Sequence, residues 1–147
     1  MDVHNVFLHG DLQEEKYMKL PLGFRSGISS KVCRLHKSLY GLKQAPWCWF
    51  AKFISALKHY GFTKSASNHS LFTLQRKNVQ LHVLVYVDDL VISNNDDVAI
   101  KAFKTYLCAC FHMKDLGPMK YFLGIEMAHN STRIFLCQRK YAILYLK

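Results

Sequence analysis

The most apolar stretch of the chain is interrupted by two adjacent carboxylates. Leu81 to Ile92 reads LHVLVYVDDLVI, a buried strand pair but for Asp88 and Asp89. A buried, unpaired carboxylate is strongly disfavoured, so the chain needs a turn to expose them or a cation to compensate them. Neighbouring strand residues face opposite ways, so both acids reach one site only if the backbone turns at the pair. An ordinary acidic hairpin tip satisfies the same pattern. A third carboxylate, Asp2, precedes Val3, Val6, Phe7 and Leu8 at the edge of another short strand. If that strand lies beside the central ones, Asp2 and Asp88 meet across neighbouring strands at about 5 Å between Cα atoms. Two carboxylates roughly 4 Å apart repel by about 4 kcal/mol at an effective dielectric near 20. A hard divalent cation removes that repulsion, and carboxylate oxygens together with substrate phosphates are what Mg²⁺ prefers. Two such ions about 3.5–4 Å apart can activate an attacking hydroxyl and stabilise a leaving pyrophosphate.

The elements that position these acids are legible in outline. Ala45 to Tyr60 reads as a helix, with Pro46 in its first turn and Gly61 at its end. Trp49, Phe50, Phe53, Leu57 and Tyr60 recur at three- and four-residue spacing, which gives one apolar face. Val32 to Leu35 and Ser70 to Leu74 read as strands, and Arg76 to Asn78 as a turn. Val79 to Ser93 is a long β-rich run. Asn94 or Asn95 is expected to cap a helix through about Phe111, with Asp96 and Asp97 at its positive end. Leu12 to Leu22 mixes acids, bases and apolar residues before Pro21 and Gly23 punctuate it, and Gly27, Ser29 and Ser30 mark a loop. Lys114 to Pro118 is a turn. Tyr121 to Ala128 and Ile134 to Cys137 read as a hairpin around Asn130 and Ser131, with a last helical stretch from Lys140 to Leu146. The order strand, helix, strand, strand, helix, strand is the split βαβ arrangement (βαββαβ), an α+β fold with an antiparallel sheet and both helices on one face. With no internal repeat and no clear linker, residues 1–147 are expected to form one unit.

Composition bounds the function classes. The chain has 147 residues, half of them hydrophobic, which excludes disorder as a description of the whole. No run of about 18 uncharged apolar residues is present, which argues against a membrane span. Lys and Arg number 20 against 10 Asp and Glu, a formal net charge of +10. From Lys16 to Lys77 there are twelve basic residues and no acidic one. A polyanionic partner suits that distribution, because neutralising phosphates releases counterions. Five cysteines, an odd number at irregular spacing, read as free thiols. Cys108, Cys110 and His112 match no common zinc spacing. Trp47 and Trp49 sit among basic residues and could stack on bases, although the helix face explains Trp49 better.

Tyr86-Val87-Asp88-Asp89 resembles the YxDD box of reverse transcriptases, and the wider text resembles the Ty1/copia class of LTR retrotransposons. The matching pieces are MDVHNVFLHGDL, LYGLKQAPWCWF, LVYVDDLVI, MKDLGPMKYFLGIE and CQRKYA. They stand in the family's order and cover essentially the whole chain. The resemblance implies a polymerase palm-type fold and RNA- and DNA-templated addition of deoxynucleotides to a primer 3′-hydroxyl. It implies two Mg²⁺ ions, with Mn²⁺ as a substitute. Asp2 and Asp88 correspond to the metal-binding aspartates and Asp89 to the last acid of the box, with the Val3 carbonyl adjacent to the second ion. Phe7 corresponds to the aromatic gate against a ribose 2′-hydroxyl. Tyr40, Gly41 and Gln44 fall in the template and nucleotide segment, and Tyr86 opens the box beside the incoming nucleotide. Lys114 lies where a lysine can protonate the pyrophosphate. Phe122, Leu123 and Gly124 resemble the primer-grip hairpin, placing the start of a primer-grip and thumb region at about residues 119–147. From their types alone, Phe7 reads first as core, as most aromatics after a strand are, while Tyr40 and Gly41 can be plain turn residues and Lys114 one solvated lysine among many.

The implied partners are template–primer RNA or DNA, deoxynucleoside triphosphates and the remainder of a Pol polyprotein. No membrane is implied. The parent elements work in cytoplasmic particles, with the nucleus as the other site; for this chain localisation stays open. In the family, fingers and the first part of the palm precede the first aspartate, so the chain is expected to be truncated at its N-terminus. Two rivals remain: a non-catalytic remnant that binds nucleic acid through its basic face, and a small RNA-binding module on the same sheet. Because positioning of primer, template and triphosphate supplies much of the rate, the isolated 147-residue chain is expected to show little or no polymerase activity. Mg²⁺-dependent primer extension by the purified chain, lost on Asp88→Asn, would overturn that expectation.

Overall fold

The computed structural model describes residues 1–24, 31–130 and 132–145. The loop expected at Gly27, Ser29 and Ser30, the turn position Ser131 and the helix end at Leu146 lie outside the described residues. The chain is a mixed α/β protein of antiparallel sheets with three α-helices among the described residues, dividing into two compact units, Met1–Lys114 and Asp115–Lys147.

In the first unit, β1 (Asp2–Val3) leads into a short 3-10 turn (Val6–His9). A ribbon of β2 (Asp11–Lys19) and β3 (Val32–Lys37) follows, then α1 (Ala45–Tyr60). Next come β4 (Thr63–Lys64), β5 (Leu71–Arg76), β6 (Val79–Tyr86) and β7 (Asp89–Asn94). Helix α2 (Asp97–Cys110) and β8 (Met113–Lys114) complete the unit. Six strands form one sheet in the order β4-β5-β6-β7-β1-β8, and every neighbouring pair is antiparallel. The run from Val79 to Ser93 is therefore a hairpin of two strands, and the first strand of the chain docks beside its second arm.

Helix α1 forms over the expected residues. Trp49, Phe53 and Leu57 are buried on its inner face, and Gly61 ends it in a left-handed conformation with φ of 113°. Leu57 and Lys58 carbonyls accept from the Gly61 N–H, which satisfies two of the terminal acceptors. The cap of α2 differs from expectation. Asp96 fills it, its side chain accepting from the Ala99 N–H at 2.7 Å. Asn95 instead ties the β5–β6 turn, accepting from the Gln80 N–H and donating to the Asn78 carbonyl.

Phe53, Leu57, Phe72, Val83, Phe103 and Leu107 are fully buried in a single cluster, so both helices cover the same face of the sheet. The Tyr106 hydroxyl donates to the Ala56 carbonyl at 3.0 Å and joins the two helices. The β2–β3 ribbon was not legible as a strand in its first arm, because most of its residues are exposed on both faces and no apolar alternation develops. Charge pairing marks it instead: Arg34 pairs with Glu15, and both Lys37 and Lys52 pair with Asp11. Exposed pairs of this kind add little stability, but Lys52 ties the ribbon to α1.

In the second unit, β9 (Tyr121–Phe122), β10 (Ile125–His129) and β11 (Ile134–Cys137) form a three-stranded antiparallel sheet, followed by α3 (Arg139–Tyr145). The expected single hairpin is two, because Leu123 and Gly124 turn the chain with φ of 49° and 84°.

Gly10 marks a close backbone approach in the first unit. A Cβ there would lie 2.6 Å from the Ser38 hydroxyl, 2.8 Å from the Cys48 Cβ and 2.9 Å from the Trp49 backbone nitrogen. Two of those neighbours belong to α1 and cannot swing away. Gly10→Ala is expected to destabilise the chain by about 1–3 kcal/mol through overpacking, read as a lower urea midpoint at unchanged slope.

Candidate active site

Backbone bonding decides how close the carboxylates come. The Val3 N–H donates to the Asp88 carbonyl at 3.0 Å, and the Leu90 N–H donates to the Met1 carbonyl at 2.8 Å. These two bonds bracket Asp2 and Asp89, which are partners in register. The pair is thus of the non-hydrogen-bonded kind, the closer of the two antiparallel types, with Cα atoms about 4.5 Å apart. Val3 and Leu90 are 3% exposed and point into the core, so Asp2 and Asp89 stand on the sheet's opposite face. Register extends the row on both sides. Tyr86 of β6 pairs with Asp89, and Lys114 of β8 pairs with Asp2. Tyr86, Asp89, Asp2 and Lys114 therefore line up across four strands.

The expected meeting of Asp2 with Asp88 is corrected here. Val87 and Asp88 are consumed by a two-residue turn, so Asp89 is the first residue of β7 and faces Asp2. Asp88 is exposed on the turn beside them, and its backbone carbonyl holds β1. Val87 adopts φ of 54°, a left-handed conformation that is unfavourable for a β-branched residue and costs about 1–3 kcal/mol. The Trp49 indole N–H donates to the Val87 carbonyl at 2.9 Å.

Asp89 is held above its ordinary pKa. Burial contributes most, followed by the charges of Asp88 and Asp2, while the N-terminal ammonium acts in the opposite sense. Among the described residues, no three His, Cys, Asp or Glu side chains converge on one point as a metal-ligand group. The donor chemistry nevertheless fits Mg²⁺, which commonly takes one or two carboxylates and completes its shell with water and substrate phosphates. Asp2 and Asp89 face each other as like charges, and Asp88 adjoins them.

Phe7 sits in the 3-10 turn with its ring against the edge of Tyr40, centroids 4.7 Å apart. Ser38, fully buried, donates its hydroxyl to the Phe7 carbonyl and so fixes that turn. An open cleft of about 280 Å³ runs from Phe7 past Trp47, Phe50 and Ser70 to Tyr86 and Val87. Phe7 and Tyr86 are thereby brought to one cleft at the carboxylate turn, and Tyr40 adjoins it through Phe7. Gly41, with φ of 90°, and Gln44 lie on the approach to α1 and are not part of the cleft wall. The Gln44 side-chain amide nitrogen is buried without a hydrogen-bond partner among the described residues, an arrangement that costs free energy unless a ligand engages it. Phe122, Leu123 and Gly124 form the β9–β10 turn of the second unit.

Sequence reasoning missed Ser38 and the hydrogen bond of Trp49. The first carries no signal beyond a lone Ser between strand and helix. The second had one: a Trp on a buried helix face needs an acceptor for its N–H.

The reverse transcriptase (RNA-dependent DNA polymerase) family profile matches residues 1–147. Over 144 residues the chain is 42% identical to the retrovirus-related Pol polyprotein from transposon RE2 of Arabidopsis thaliana, covering 97% of this chain and 10% of that polyprotein. It is 42% identical over 145 residues to the corresponding polyprotein from transposon TNT 1-94 of Nicotiana tabacum, covering 96% and 11%. The putative transposon Ty5-1 protein of Saccharomyces cerevisiae is 33% identical over 133 residues, covering 90% and 43%. The chain thus spans about a tenth of the length of the first two relatives. No solved structure matches it.

The elevated pKa of Asp89 sets a sign for stability. Its ionised form is disfavoured on folding, so the penalty is absent below the unfolded pKa and complete above the folded one. Asp89→Asn is expected to raise the melting temperature at neutral pH. The gain should shrink towards zero as pH falls through the carboxylate range; a gain independent of pH would show that charge is not its cause.

Proposed function

Because this chain belongs to the reverse transcriptase family of copia-type retrotransposon Pol polyproteins, we propose that its first unit is the palm core of an RNA-directed DNA polymerase. The observation that carries this reading is the close pairing of Asp2 with Asp89 beside Asp88, on the face of the sheet that the helices leave open. A first strand inserted next to a central hairpin, with both helices on the other face, supports the palm-type split βαβ description.

Within this reading Asp2, Asp88 and Asp89 hold divalent metal, with the backbone carbonyl of the adjacent Val3 available to a second ion. The metal, when bound, supplies charge neutralisation for phosphoryl transfer. The chain's own residues do the rest. Asp2 and Asp89 orient the reacting groups over the sheet face. Phe7 and Tyr86 wall the cleft in which a nucleotide is positioned, with Tyr40 behind Phe7 and Gly41 and Gln44 on the approach. Lys114, beside Asp2 in register, holds a proton at Nζ near the leaving group. Phe122, Leu123 and Gly124 contact the primer from the second unit. The partners are template–primer nucleic acid and deoxynucleoside triphosphates, and the activity belongs to the longer polyprotein.

The charge of +10 supports a second reading, binding of nucleic acid without chemistry. Template–primer binding separates the two. A polymerase site is expected to bind more tightly when Mg²⁺ is added, and Asp2→Asn or Asp89→Asn should remove that gain while leaving metal-free binding intact. Binding that falls with salt but ignores both Mg²⁺ and these substitutions would favour the second reading.

A further inference from the structure

The turn that carries Asp88 has a conformation its own residues do not favour. Val87 is β-branched and holds φ of 54° without the freedom of glycine. Such a conformation persists only where the surroundings over-determine it. Three restraints do so. Tyr86 and Asp89 close the turn as register partners. The Asp88 carbonyl accepts from the Val3 N–H of β1 at 3.0 Å. The Val87 carbonyl accepts from the Trp49 indole of α1 at 2.9 Å. Both central carbonyls of the turn are thus captured, one by the strand that bears Asp2 and one by the helix behind it.

Trp49 is well placed to act as the rigid end of such a restraint. It is 1% exposed. Its ring lies against Phe53 and Phe111, at 5.1 and 5.2 Å between centroids. Val87, by contrast, is 48% exposed, so side-chain packing alone holds the turn only weakly.

We infer that Trp49 is a positioning residue for the carboxylate site: its indole N–H latches the Val87 carbonyl and so holds Asp89 in register with Asp2 and Asp88 on the turn beside them. The inference rests on the proposed metal-binding role of those aspartates. It assigns to α1 a function besides packing, that of setting the geometry in which the acids meet a cation.

Two measurements on the full chain test it. The first reads the latch directly, by hydrogen–deuterium exchange of the two indole N–H protons in NMR spectra. The Trp49 proton should be protected and the proton of the exposed Trp47 should not. Equal, fast exchange would overturn the latch. The second reads its consequence, by Mn²⁺ titration followed by electron paramagnetic resonance. Trp49→Phe keeps an aromatic ring but has no N–H to give, and should weaken Mn²⁺ binding by about tenfold, the usual scale for lost support behind metal ligands. Phe53→Leu loosens the same core without touching the turn and should leave Mn²⁺ affinity near wild type. Equal weakening by both variants would reduce Trp49 to a packing residue and refute the inference. A wild-type chain that takes up no Mn²⁺ would instead overturn the metal-binding reading, and the exchange arm would then decide the latch alone.

Discussion

Two like charges held side by side govern this structure. Asp2 and Asp89 occupy the closer kind of antiparallel pair, fixed by backbone bonds from Val3 and Leu90 that neither side chain can escape. The fold holds them there against their mutual repulsion, because the flanking Val3 and Leu90 are anchored in the core. Strand alternation then leaves the acids nowhere to go but the opposite face. Under the proposed reading, it is this closeness on an accessible face that a cation and its accompanying phosphates would relieve.

The rest of the first unit is arranged around keeping that pair in place. β1 is only two residues long and cannot hold its register by length. It is trapped between β7 and β8, and the 3-10 turn that follows is tied to α1 and to the ribbon through Ser38 and the close approach at Gly10. The aromatic packing of Trp49, Phe53 and Phe111 joins α1 to the end of α2. The same helix that walls the cleft through Trp47 and Phe50 reaches the carboxylate turn through Trp49. Cleft and acids are therefore two edges of one packed body.

Where periodicity was strong, the sequence was read correctly. Helix α1 shows its apolar face at three- and four-residue spacing, and tertiary packing uses that same face. Where exposure removed the period, reading failed: the charged arm Asp11–Lys19 is a strand whose identity comes from its partner β3. Capping was misassigned by one or two residues, because Asn94, Asn95 and Asp96 are all competent caps, and only tertiary structure separates them: β7 pairing takes Asn94 and the β5–β6 turn takes Asn95.

From the sequence alone, residue types and order settle which acids belong together chemically. Asp88 and Asp89 cannot lie in an apolar run without a turn or a counter-charge, and the five motifs in order point to one family. Which acid faces Asp2 is a matter of tertiary structure, because register depends on how many residues the turn consumes and a shift of one residue reverses every side chain. Two residues are consumed, Val87 and Asp88, and Asp89 takes the facing position. The hold of Trp49 on that turn is likewise a contact across 38 residues, which no local pattern encodes.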